Sequence, residues 1–328
     1  MKTLICGGAG YIGSHMTLHA LAQGHEVVVI DNLSTGHAEA VPKGLLVEMD
    51  VCDTPALTQF LSVNRFDLVM HFCAFSLVGE SVDNPSKYYQ NNVGGTLSLL
   101  QAMLTTGHKN LVFSSTAAVY GIPGNNPVTE DCRLQPINPY GRSKWMVEQI
   151  LQDYAHAFAL NSVSLRYFNA AGADPQGRIG EKHHPETHLV PNILKRLAAD
   201  DGQDLSVFGD DYPTRDGTCE RDYIHINDLA SAHLLAGEYL AANPGAHAFN
   251  LGNGIGYTVM EIIRAAEKVT RKKARLVTSS RRPGDPPSLV ADATRARQAL
   301  GWKPAMDNVE DLIKTAWGWH QHEIFRVQ

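Results

Sequence analysis

Two residues of the stretch QPINPYGRSKWMVEQILQ, Tyr140 and Lys144, have the types and the spacing needed for proton transfer. The stretch predicts a helix after a turn-rich lead-in, and residues four apart on a helix share one face. A phenol has a pKa near 10, so an ammonium group beside it would favour the phenolate that acts as a base. Such pairs are also common on helix surfaces. The rest of the chain must therefore supply a cofactor site and a substrate site.

A glycine-rich turn near the amino terminus predicts a dinucleotide site. In CGGAGYIGSH, Gly7, Gly10 and Gly13 follow a short apolar strand and open a helix, where a backbone without Cβ atoms can approach a pyrophosphate. Asp31 ends the second predicted strand, 18 residues after Gly13. A carboxylate there binds ribose hydroxyls and repels a 2′-phosphate, which favours NAD over NADP. The alternative is an incidental turn.

Polar residues also follow the third and fifth predicted strands. Asp50, in EMDVCD, could meet the exocyclic amine of an adenine, or it could cap the helix that begins near Thr54. Ser114, Ser115 and Thr116 end the fifth strand in FSSTAAVYG. In an open parallel sheet, ligands bind beyond the carboxyl ends of the strands, so these hydroxyls lie where chemistry would occur.

The elements that must position these residues alternate between strands and helices. Short, almost continuously apolar runs are typical of parallel strands covered on both faces, and they span 2–7, 26–31, 45–51, 66–74, 110–115 and 162–169. Helix-length segments between them include 11–23, 54–63, 84–107 and 140–159. This alternation predicts an α/β fold with a Rossmann-type doubly wound parallel sheet.

The alternation stops after about residue 170. Residues 171–187 form an irregular connection rich in Gly, Pro and charge. Long loops inside a compact protein are usually functional. We therefore expect an NAD-binding Rossmann domain over 1–170 and a smaller, mixed α/β substrate domain over 171–328, with a strand–helix unit at 222–253 that can rejoin the first sheet.

Composition restricts the class of protein. The 328 residues have a formal net charge of −6 and no Lys/Arg-rich run, which argues against nucleic-acid binding. No apolar run is long enough for a membrane span, and MKTLICGGAG does not look like a signal peptide. The five cysteines are scattered and include no C-x-x-C pair. We therefore expect a cytoplasmic protein with reduced thiols and no membrane partner.

Together, these motifs resemble the extended short-chain dehydrogenase/reductase family. The similarity runs nearly end to end, through GGAGYIGSH, DNLSTG, HFCAFSLVGESV, YYQNNVGGTL, SSTAAVYG, NPYGRSK, RYFNAAGA, VFGDDYPTRDGTCERDYIHINDLASAH and RRPGD. Within the family, the chain is most similar to members that invert C4 of a UDP-linked hexose. The resemblance implies reversible epimerisation of UDP-galactose and UDP-glucose through a 4-keto intermediate, with tightly bound NAD, as part of galactose metabolism.

The resemblance also implies roles for individual residues. Tyr140 would be the general base and acid, Lys144 its electrostatic partner and a ribose ligand, and Thr116 the group that binds the reacting hydroxyl. The implied cofactor contacts are Gly7, Gly10, Tyr11, Ile12, Gly13, Asp31, Asn32, Leu33, Ser34, Thr35, Gly36, Asp50, Val51, Phe72, Cys73, Ala74, Ser76, Asn91, Tyr140, Lys144 and Phe168. The implied nucleotide-sugar contacts are Thr116, Tyr140, Asn169, His188, Leu189, Ser206, Val207, Phe208, Arg221, Arg282, Asp285 and Leu289.

Two further features bear on the reaction and its substrate, and one alternative function remains open. Family members that eliminate water carry an acid pair directly after the strand-five hydroxyl, where this chain has Ala117 and Ala118, which favours epimerisation. Leu289 aligns with a position that lines the hexose pocket, and its intermediate size leaves N-acetylated UDP-hexosamines or another nucleotide sugar open as substrates. A dinucleotide fold that senses NAD without catalysis is a remoter alternative.

The sequence also bears on a metal site and on the oligomeric state. His183, His184 and His188 lie beside Glu186, and histidines four apart on a helix can bind zinc. Pro185 and the loop-like composition argue against a helix, so we predict no metal. The family resemblance implies a homodimer formed through the helices at 84–107 and 140–159.

Overall fold

The computed structural model describes residues 1–124, 127–199, 203–282, 285–322 and 324–327. Its strands are β1 (Lys2–Cys6), β2 (Glu26–Asp31), β3 (Leu46–Glu48), β4 (Leu68–His71), β5 (Asn110–Ser114), β6 (Asn161–Tyr167), β7 (Asn169–Ala171), β8 (Leu205–Phe208), β9 (Glu220–His225), β10 (Ala246–Leu251), β11 (Gly256–Thr258), β12 (Leu276–Ser279) and β13 (Ser288–Leu289). Its α-helices are α1 (Tyr11–Ala22), α2 (Thr54–Val63), α3 (Val78–Asp83), α4 (Pro85–Tyr88), α5 (Gly95–Thr106), α6 (Pro139–Phe158), α7 (Leu189–Ala199), α8 (Ile226–Leu240), α9 (Val259–Thr270), α10 (Thr294–Leu300) and α11 (Val309–His320). Short 3₁₀ turns lie at Ala38–Ala40 and Ala117–Tyr120, and a π-helical turn lies at Tyr89–Gly94.

Seven strands form a parallel sheet in the order β10–β6–β5–β4–β1–β2–β3. The strand order reverses at β1, which has β2 on one side and β4 on the other. In open α/β sheets, ligands bind beyond the carboxyl ends of the strands at such a reversal. This topology confirms the predicted doubly wound α/β fold.

Helices cover both faces of the seven-stranded sheet. On one face α1 and α8 contribute Met16 and Leu229 to the core, and on the other α2, α5 and α6 contribute Leu57, Leu99 and Val147. Strands covered in this way are buried along their length, as β4 is at every position, which explains their continuous apolar sequences. No helix within the described ranges combines the length and the apolar character required to cross a membrane.

The second half of the chain builds two smaller sheets. Strand β9 pairs with β7, β11 and β13, and β8 pairs with β12, while α7, α9 and α11 share a separate apolar core. The predicted unit at 222–253 is therefore split: β10 joins the first sheet beside β6, but β9 does not. Strand β6 ends at Tyr167 and the chain continues as β7, which offers β9 a parallel partner outside the first sheet. The domain boundary near residue 170 stays a prediction.

The helix predicted over 84–107 is interrupted. The π-helical turn separates α4 from α5 and contains the buried Asn92. The Asn92 side chain accepts a hydrogen bond from the N–H of Phe75 at 2.9 Å and donates one to the Phe75 carbonyl at 3.0 Å. These bonds hold the loop after β4 against the helix. Such turns occur frequently at functional sites, and this one lies at the ligand-binding edge of the sheet.

Candidate active site

The glycine-rich turn joins β1 to α1 at the carboxyl edge of the sheet. Gly7 has a φ of 84°, and a Cβ there would lie 2.7 Å from the backbone nitrogen of Cys73. A Cβ on Gly13 would lie 2.2 Å from the oxygen of Gly7. Among the described atoms, a Cβ on Gly10 would meet only that same oxygen, at an ordinary 3.5 Å. The fold therefore does not need glycine at position 10, and the space beside the free N–H groups of α1 fits a phosphate.

Asp31 ties the end of β2 to the glycine-rich turn. Its Oδ2 accepts the N–H of Ala9 at 2.9 Å, and its Oδ1 accepts the N–H of Leu33 at 2.8 Å. Burial raises the pKa of Asp31, and the two amides oppose that shift. Each carboxylate oxygen can accept a further hydrogen bond, so ribose hydroxyls fit here. The bond to Ala9 is a structural role that the sequence does not indicate.

Asp50 lies exposed after β3, beside Asn32. It accepts the Asn32 side-chain amide at 3.1 Å and the N–H of Cys52 at 2.8 Å. Partial burial opposes the ionisation of Asp50, but these hydrogen bonds outweigh it and lower its pKa. The cap of α2 is Asp53, whose Oδ1 accepts the N–H of Ala56 at 3.0 Å, so the capping alternative for Asp50 is wrong. Asp50 is left available at the edge where an adenosine is expected.

The other residues predicted to bind the cofactor lie at this same edge. Those in segments that directly follow β2, β3, β4 and β6 are Asn32, Leu33, Ser34, Thr35, Gly36, Val51, Phe72, Cys73, Ala74, Ser76 and Phe168. Ile12 lies in the first turn of α1, as does Tyr11, whose hydroxyl donates to the carbonyl of Gly172 at 2.7 Å. Asn91 belongs to the π-helical turn and donates to the side chain of Asn92 at 3.0 Å. The parallel sheet thus gathers these distant segments on one side.

Thr116 and Tyr140 meet beyond the end of β5. Helix α6 begins with a proline, and its cap is Asn138, whose Oδ1 accepts the N–H of Gly141 at 2.8 Å. This cap fixes Tyr140 in the first turn of the helix. Burial raises the pKa of Tyr140, and a hydrogen bond with the Thr116 side chain opposes that shift. The threonine therefore favours the ionised phenol.

Lys144 points from the same helix to the end of β5. Its Nζ donates to the carbonyl of Ser114 at 2.7 Å and lies 4.8 Å from the ring centre of Phe113. Burial lowers the pKa of Lys144 to about 7. The sequence predicts that Lys144 lowers the pKa of Tyr140, whereas here Thr116 is the group with that effect. The reason is that the ammonium group is anchored on the strand end, one helical turn beyond the phenol.

A buried polar network supports this strand end, and sequence reasoning missed it. Glu148 of α6 pairs with Arg166 of β6 at 2.6 Å, with neither side chain more than 6% exposed, and the hydroxyl of Ser115 donates to the same carboxylate. Arg166 also donates to the hydroxyl of Tyr120 at 2.9 Å, which in turn donates to Asn250 at 2.6 Å. An arginine inside an apolar strand is the signal that could have revealed it, because a buried charge needs a partner.

The residues predicted to bind the nucleotide sugar lie on β7, β8, β9 and β13 and in the segments beside them. A guanidinium nitrogen of Arg221 lies 3.4 Å from a carboxylate oxygen of Asp285. Leu289 pairs in register with Arg221, so the three residues form one group. The guanidinium of Arg282 lies 4.1 Å from the ring centre of Phe208 and forms a second group. Residues 283 and 284, between Arg282 and Asp285, lie outside the described residues.

The remaining substrate candidates differ in how they present their side chains. Asn169 and Ser206 are exposed at the start of β7 and on β8, and Leu189 begins α7. Val207 is buried in the core formed with α7 and α9, so any contact to a ligand would come from its backbone. His188 precedes α7, and its Nδ1 hydrogen-bonds Glu181.

Comparison with known proteins identifies the family. The sequence profile described as "NAD dependent epimerase/dehydratase family" matches residues 3–252. The chain belongs to this family. A curated relative, the UDP-glucose 4-epimerase of Lactobacillus helveticus, is 51% identical over 322 residues, which cover 98% of this chain and 97% of the relative. These matches confirm the family resemblance predicted from the sequence.

Two solved structures of the NAD-dependent epimerase/dehydratase type show the same fold. The UDP-glucose 4-epimerase of Brucella ovis, in complex with NAD, is 46% identical with a TM-score of 0.93, covering 97% of this chain and 98% of that one. The UDP-Glc/GlcNAc 4-epimerase of Campylobacter jejuni is 41% identical with a TM-score of 0.84, covering 98% of this chain and 99% of that one. Identity and TM-scores of this extent along the whole chain show a shared fold.

Proposed function

We propose that this protein interconverts UDP-galactose and UDP-glucose by inverting C4 of the hexose, with NAD as its bound cofactor. The observation that carries the proposal is the convergence of Thr116, Tyr140 and Lys144 beyond β5, between the residues suited to a dinucleotide and those suited to a nucleotide sugar. Ala117 and Ala118 form the 3₁₀ turn after Thr116 and offer no acid for an elimination. Proton transfer by a single phenol fits epimerisation.

The residues present fit NAD. The space at Gly10, the N–H groups at the start of α1 and the Asp31 carboxylate suit a pyrophosphate and a ribose without a 2′-phosphate. A bound NAD would supply this chemistry, with its oxidised form as an acceptor for the hydride of C4 and its reduced form as the donor that restores it. The protein must therefore remove and return one proton, at the C4 hydroxyl, and must permit the keto-sugar to turn over between the two events.

Tyr140 is the group that moves this proton. Its phenolate takes the proton from the C4 hydroxyl, and the phenol returns it to the other epimer. Burial raises the pKa of Tyr140, so the phenolate needs support from its surroundings. The Thr116 hydroxyl gives that support directly and can also orient the sugar hydroxyl. Lys144 adds a nearby cation with donors left over for a ribose, since Ser114 is the only acceptor that the described part of the chain offers its ammonium group.

The turn of the keto-sugar requires a firm hold on the nucleotide and a loose hold on the hexose. Arg221 and Arg282 suit the first requirement, because guanidinium groups bind phosphate oxygens through paired N–H donors. Asp285 orients Arg221, and the Phe208 ring supports Arg282. On the hexose side, Leu289 offers an apolar surface that does not fix the orientation of the sugar.

The proposal is tested by converting UDP-galactose with purified protein and no added cofactor. We expect turnover by the wild type, and for Tyr140→Phe a loss of about 10²–10⁴-fold with bound NAD unchanged. The matched control is Tyr154→Phe on the same helix, where the ring packs against Phe158 and no proton is transferred. A wild type that retains NAD but converts no UDP-sugar would instead support the NAD-sensing alternative.

A second substrate class is N-acetylated UDP-hexosamines, because the Campylobacter jejuni relative is named for both UDP-Glc and GlcNAc. The observation on this chain is Leu289, which packs against the cluster that contains Phe168 and Ala117, next to Thr116. A leucine narrows the space for an acetamido group less than an aromatic residue would. Rates on UDP-galactose and UDP-N-acetylgalactosamine decide the question, and a clear preference for the second would overturn the primary proposal.

We further infer a homodimer and a cytoplasmic location. Leu97 of α5 is 39% exposed and Met146 of α6 is 40% exposed, on the helices implied by the family resemblance. A Leu97→Glu/Met146→Glu variant should then elute as a monomer while the wild type elutes as a dimer.

All five cysteines are free, which suits a reducing compartment. Fluorescence microscopy of a tagged chain tests the location.

A further inference from the structure

The segment between β7 and α7 is fixed against the cofactor side of the molecule. At its beginning, the hydroxyl of Tyr11 in the first turn of α1 donates to the carbonyl of Gly172 at 2.7 Å. Further along, the indole N–H of Trp319 in α11 donates to the carbonyl of Glu181 at 3.1 Å. The residues from Gly172 to Glu181 are therefore held at both ends, and the residues that follow run from this anchor to α7 without forming a helix or strand.

Four side chains of this segment converge, and we call them the His–Glu cluster: Glu181, His183, Glu186 and His188. One ligand atom from each lies within 4.8 Å of all the others. Glu181 Oε1 accepts a hydrogen bond from His188 Nδ1 and lies 3.3 Å from His183 Nδ1. The two carboxylates are only 4% and 5% exposed, so their charges need compensation from inside the cluster.

One carboxylate oxygen of the His–Glu cluster lacks a donor. Glu186 Oε1 accepts the N–H groups of Thr187 and His188, each at 2.9 Å. Glu186 Oε2 is buried, and no hydrogen-bond donor in the described residues reaches it. The Nδ1 atom of His183 lies 3.7 Å away, too far for a hydrogen bond. A buried anionic oxygen that faces three other ligand atoms without a donor indicates a cation.

We propose that the His–Glu cluster binds a divalent first-row transition cation, for which Zn²⁺ is the best fit. Two imidazole nitrogens and two carboxylate oxygens are a ligand set that zinc accepts, and the double charge of the cation balances the two carboxylates. In a tetrahedral site with bonds of about 2.1 Å, ligand atoms are about 3.4 Å apart. The 3.3 and 3.7 Å separations at His183 are close to that value, whereas His188 Nδ1 and Glu181 Oε1 are in hydrogen-bond contact and would have to move apart by about 1 Å to share the ion. Four protein ligands leave no open position, so the metal has a structural role.

The proposal departs from the sequence prediction of no metal, which was made because Pro185 and the loop composition argue against the helix that would place His184 and His188 on one face. The structure uses a different set of ligands. Glu181, which the sequence pattern did not single out, lies in the cluster, and His184 does not. A bound cation would lock the residues before α7 against Tyr11, whose ring contacts His183 edge-on. It would also fix the orientation of His188 at the border of the substrate site.

The test measures metal content and stability, and it is independent of turnover. Untagged full-length protein is dialysed against a chelator, loaded with Zn²⁺ alone, freed of excess metal and analysed by elemental mass spectrometry. The variants are Glu186→Gln, which keeps the shape of the side chain, and His183→Gln. The matched control is His184→Gln, since this neighbouring histidine lies outside the cluster. Circular dichroism and retained NAD verify that each variant is folded.

We expect one zinc per chain in the wild type and in His184→Gln. The two cluster variants should bind zinc at least about 10-fold more weakly, because even outer-shell partners of a metal site contribute that much. Zinc should raise the Tm of the wild type and of His184→Gln only, because a ligand of the folded state stabilises it. Loading with Co²⁺ should give the visible absorption of a four-coordinate site. A wild type without stoichiometric zinc, or equal uptake by Glu186→Gln, would overturn the proposal and leave two protonated imidazoles as the balance for the carboxylates.

Discussion

Lys144 donates a 2.7 Å hydrogen bond to the carbonyl of Ser114, which ties the catalytic helix α6 to the end of the central strand β5. The lysine is 2% exposed, and burial lowers its pKa to about 7. The ammonium group is therefore fixed in position one turn from Tyr140. Because the pKa of Lys144 is about 7, its ammonium group exchanges a proton near neutral pH, and a negative charge beside it would favour the charged form.

Replacement of Lys144 by Met should slow epimerisation by about 10²-fold, because the site loses the cation held one turn from Tyr140 together with its free donors for a ribose. The dependence of kcat on pH should also change, because a buried group with a pKa of about 7 no longer titrates at the site. The measurement is kcat against pH for the wild type, Lys144→Met and the control Lys109→Met, where an exposed lysine is removed. A Lys144→Met profile with the wild-type shape would contradict this role.

The hydroxyl of Thr116 should matter more than its methyl group. Thr116→Val keeps the shape but removes the hydrogen bond that lowers the pKa of Tyr140, so kcat should fall by about 10²-fold, as for a lost oxyanion donor. Thr116→Ser keeps the hydroxyl and should retain most of the activity. Steady-state kinetics on UDP-galactose compare the two. Equal losses in both variants would show that packing at this position matters instead.

Asp31→Asn should weaken NAD binding and reduce the preference for NAD over NADP. The change removes the negative charge that repels a 2′-phosphate. In the wild type, Ala9 and Leu33 each donate to a different oxygen of the carboxylate, whereas asparagine offers one oxygen for both. The dinucleotide retained after denaturation is identified by chromatography, with the exposed Asp153→Asn as control. If Asp31→Asn retained the wild-type preference for NAD over NADP, residues other than Asp31 would determine that preference.

Leu289→Ala should raise the ratio of kcat/KM for UDP-N-acetylgalactosamine to that for UDP-galactose by about 10-fold. A smaller side chain at this position opens space beside Phe168, and differences of this size in an apolar pocket are worth 10- to 200-fold. Val290→Ala is the matched control, because neighbouring strand residues face opposite sides and Val290 is buried. The same ratio in both variants would remove Leu289 from the specificity of the site.

The sequence alone predicted the bounds of those helices and strands that are determined by a local residue pattern. Strand β2 (Glu26–Asp31) and helix α2 (Thr54–Val63) match the predicted bounds, because an apolar run bounded by glycine or acidic residues determines each. The π-helical turn around Asn92 was missed, since its cause is a contact with Phe75 in another segment. The pairing of Glu148 with Arg166 likewise depends on α6 lying over β6, which no local pattern records.

The same distinction applies to the site. Motif spacing indicated the positions of Gly10, Asp31 and Tyr140, because each ends a strand or begins a helix. The group that opposes the burial-raised pKa of Tyr140 was not predictable, since it depends on whether Thr116 or Lys144 points at the phenol. The His–Glu cluster could not be predicted either, although for a different reason. Its ligands are close in sequence, yet the loop that brings Glu181 to His188 has no helical or strand period to predict it.

Asp222 is the group whose protonation should be visible in the stability of the protein. It is fully buried and accepts the N–H groups of Asn253 and Gly254, at 2.9 Å each, and of Ala291 at 3.1 Å. These bonds join β9 to the loops that follow β10 and β13. Burial nevertheless raises the pKa of Asp222 to about 6. In the unfolded chain an aspartate has a pKa of about 3.9, so the folded state binds the proton more tightly.

The sign of the effect follows from this order of pKa values. The contribution of Asp222 to the free energy of unfolding is greatest below pH 4 and is lost as the pH rises through about 6, by about 3 kcal/mol in total. Asp222→Asn cannot titrate and should show no such change, although its amide leaves a backbone N–H unpaired and costs about 1–3 kcal/mol. Urea unfolding of NAD-bound protein at several pH values from 5 to 7.5 measures the difference between wild type and variant, with Asp153→Asn as control. The stability advantage of the wild type over Asp222→Asn should shrink as the pH rises to about 6, and an advantage that stays constant over this range would mean that the hydrogen bonds outweigh burial and the carboxylate is ionised throughout.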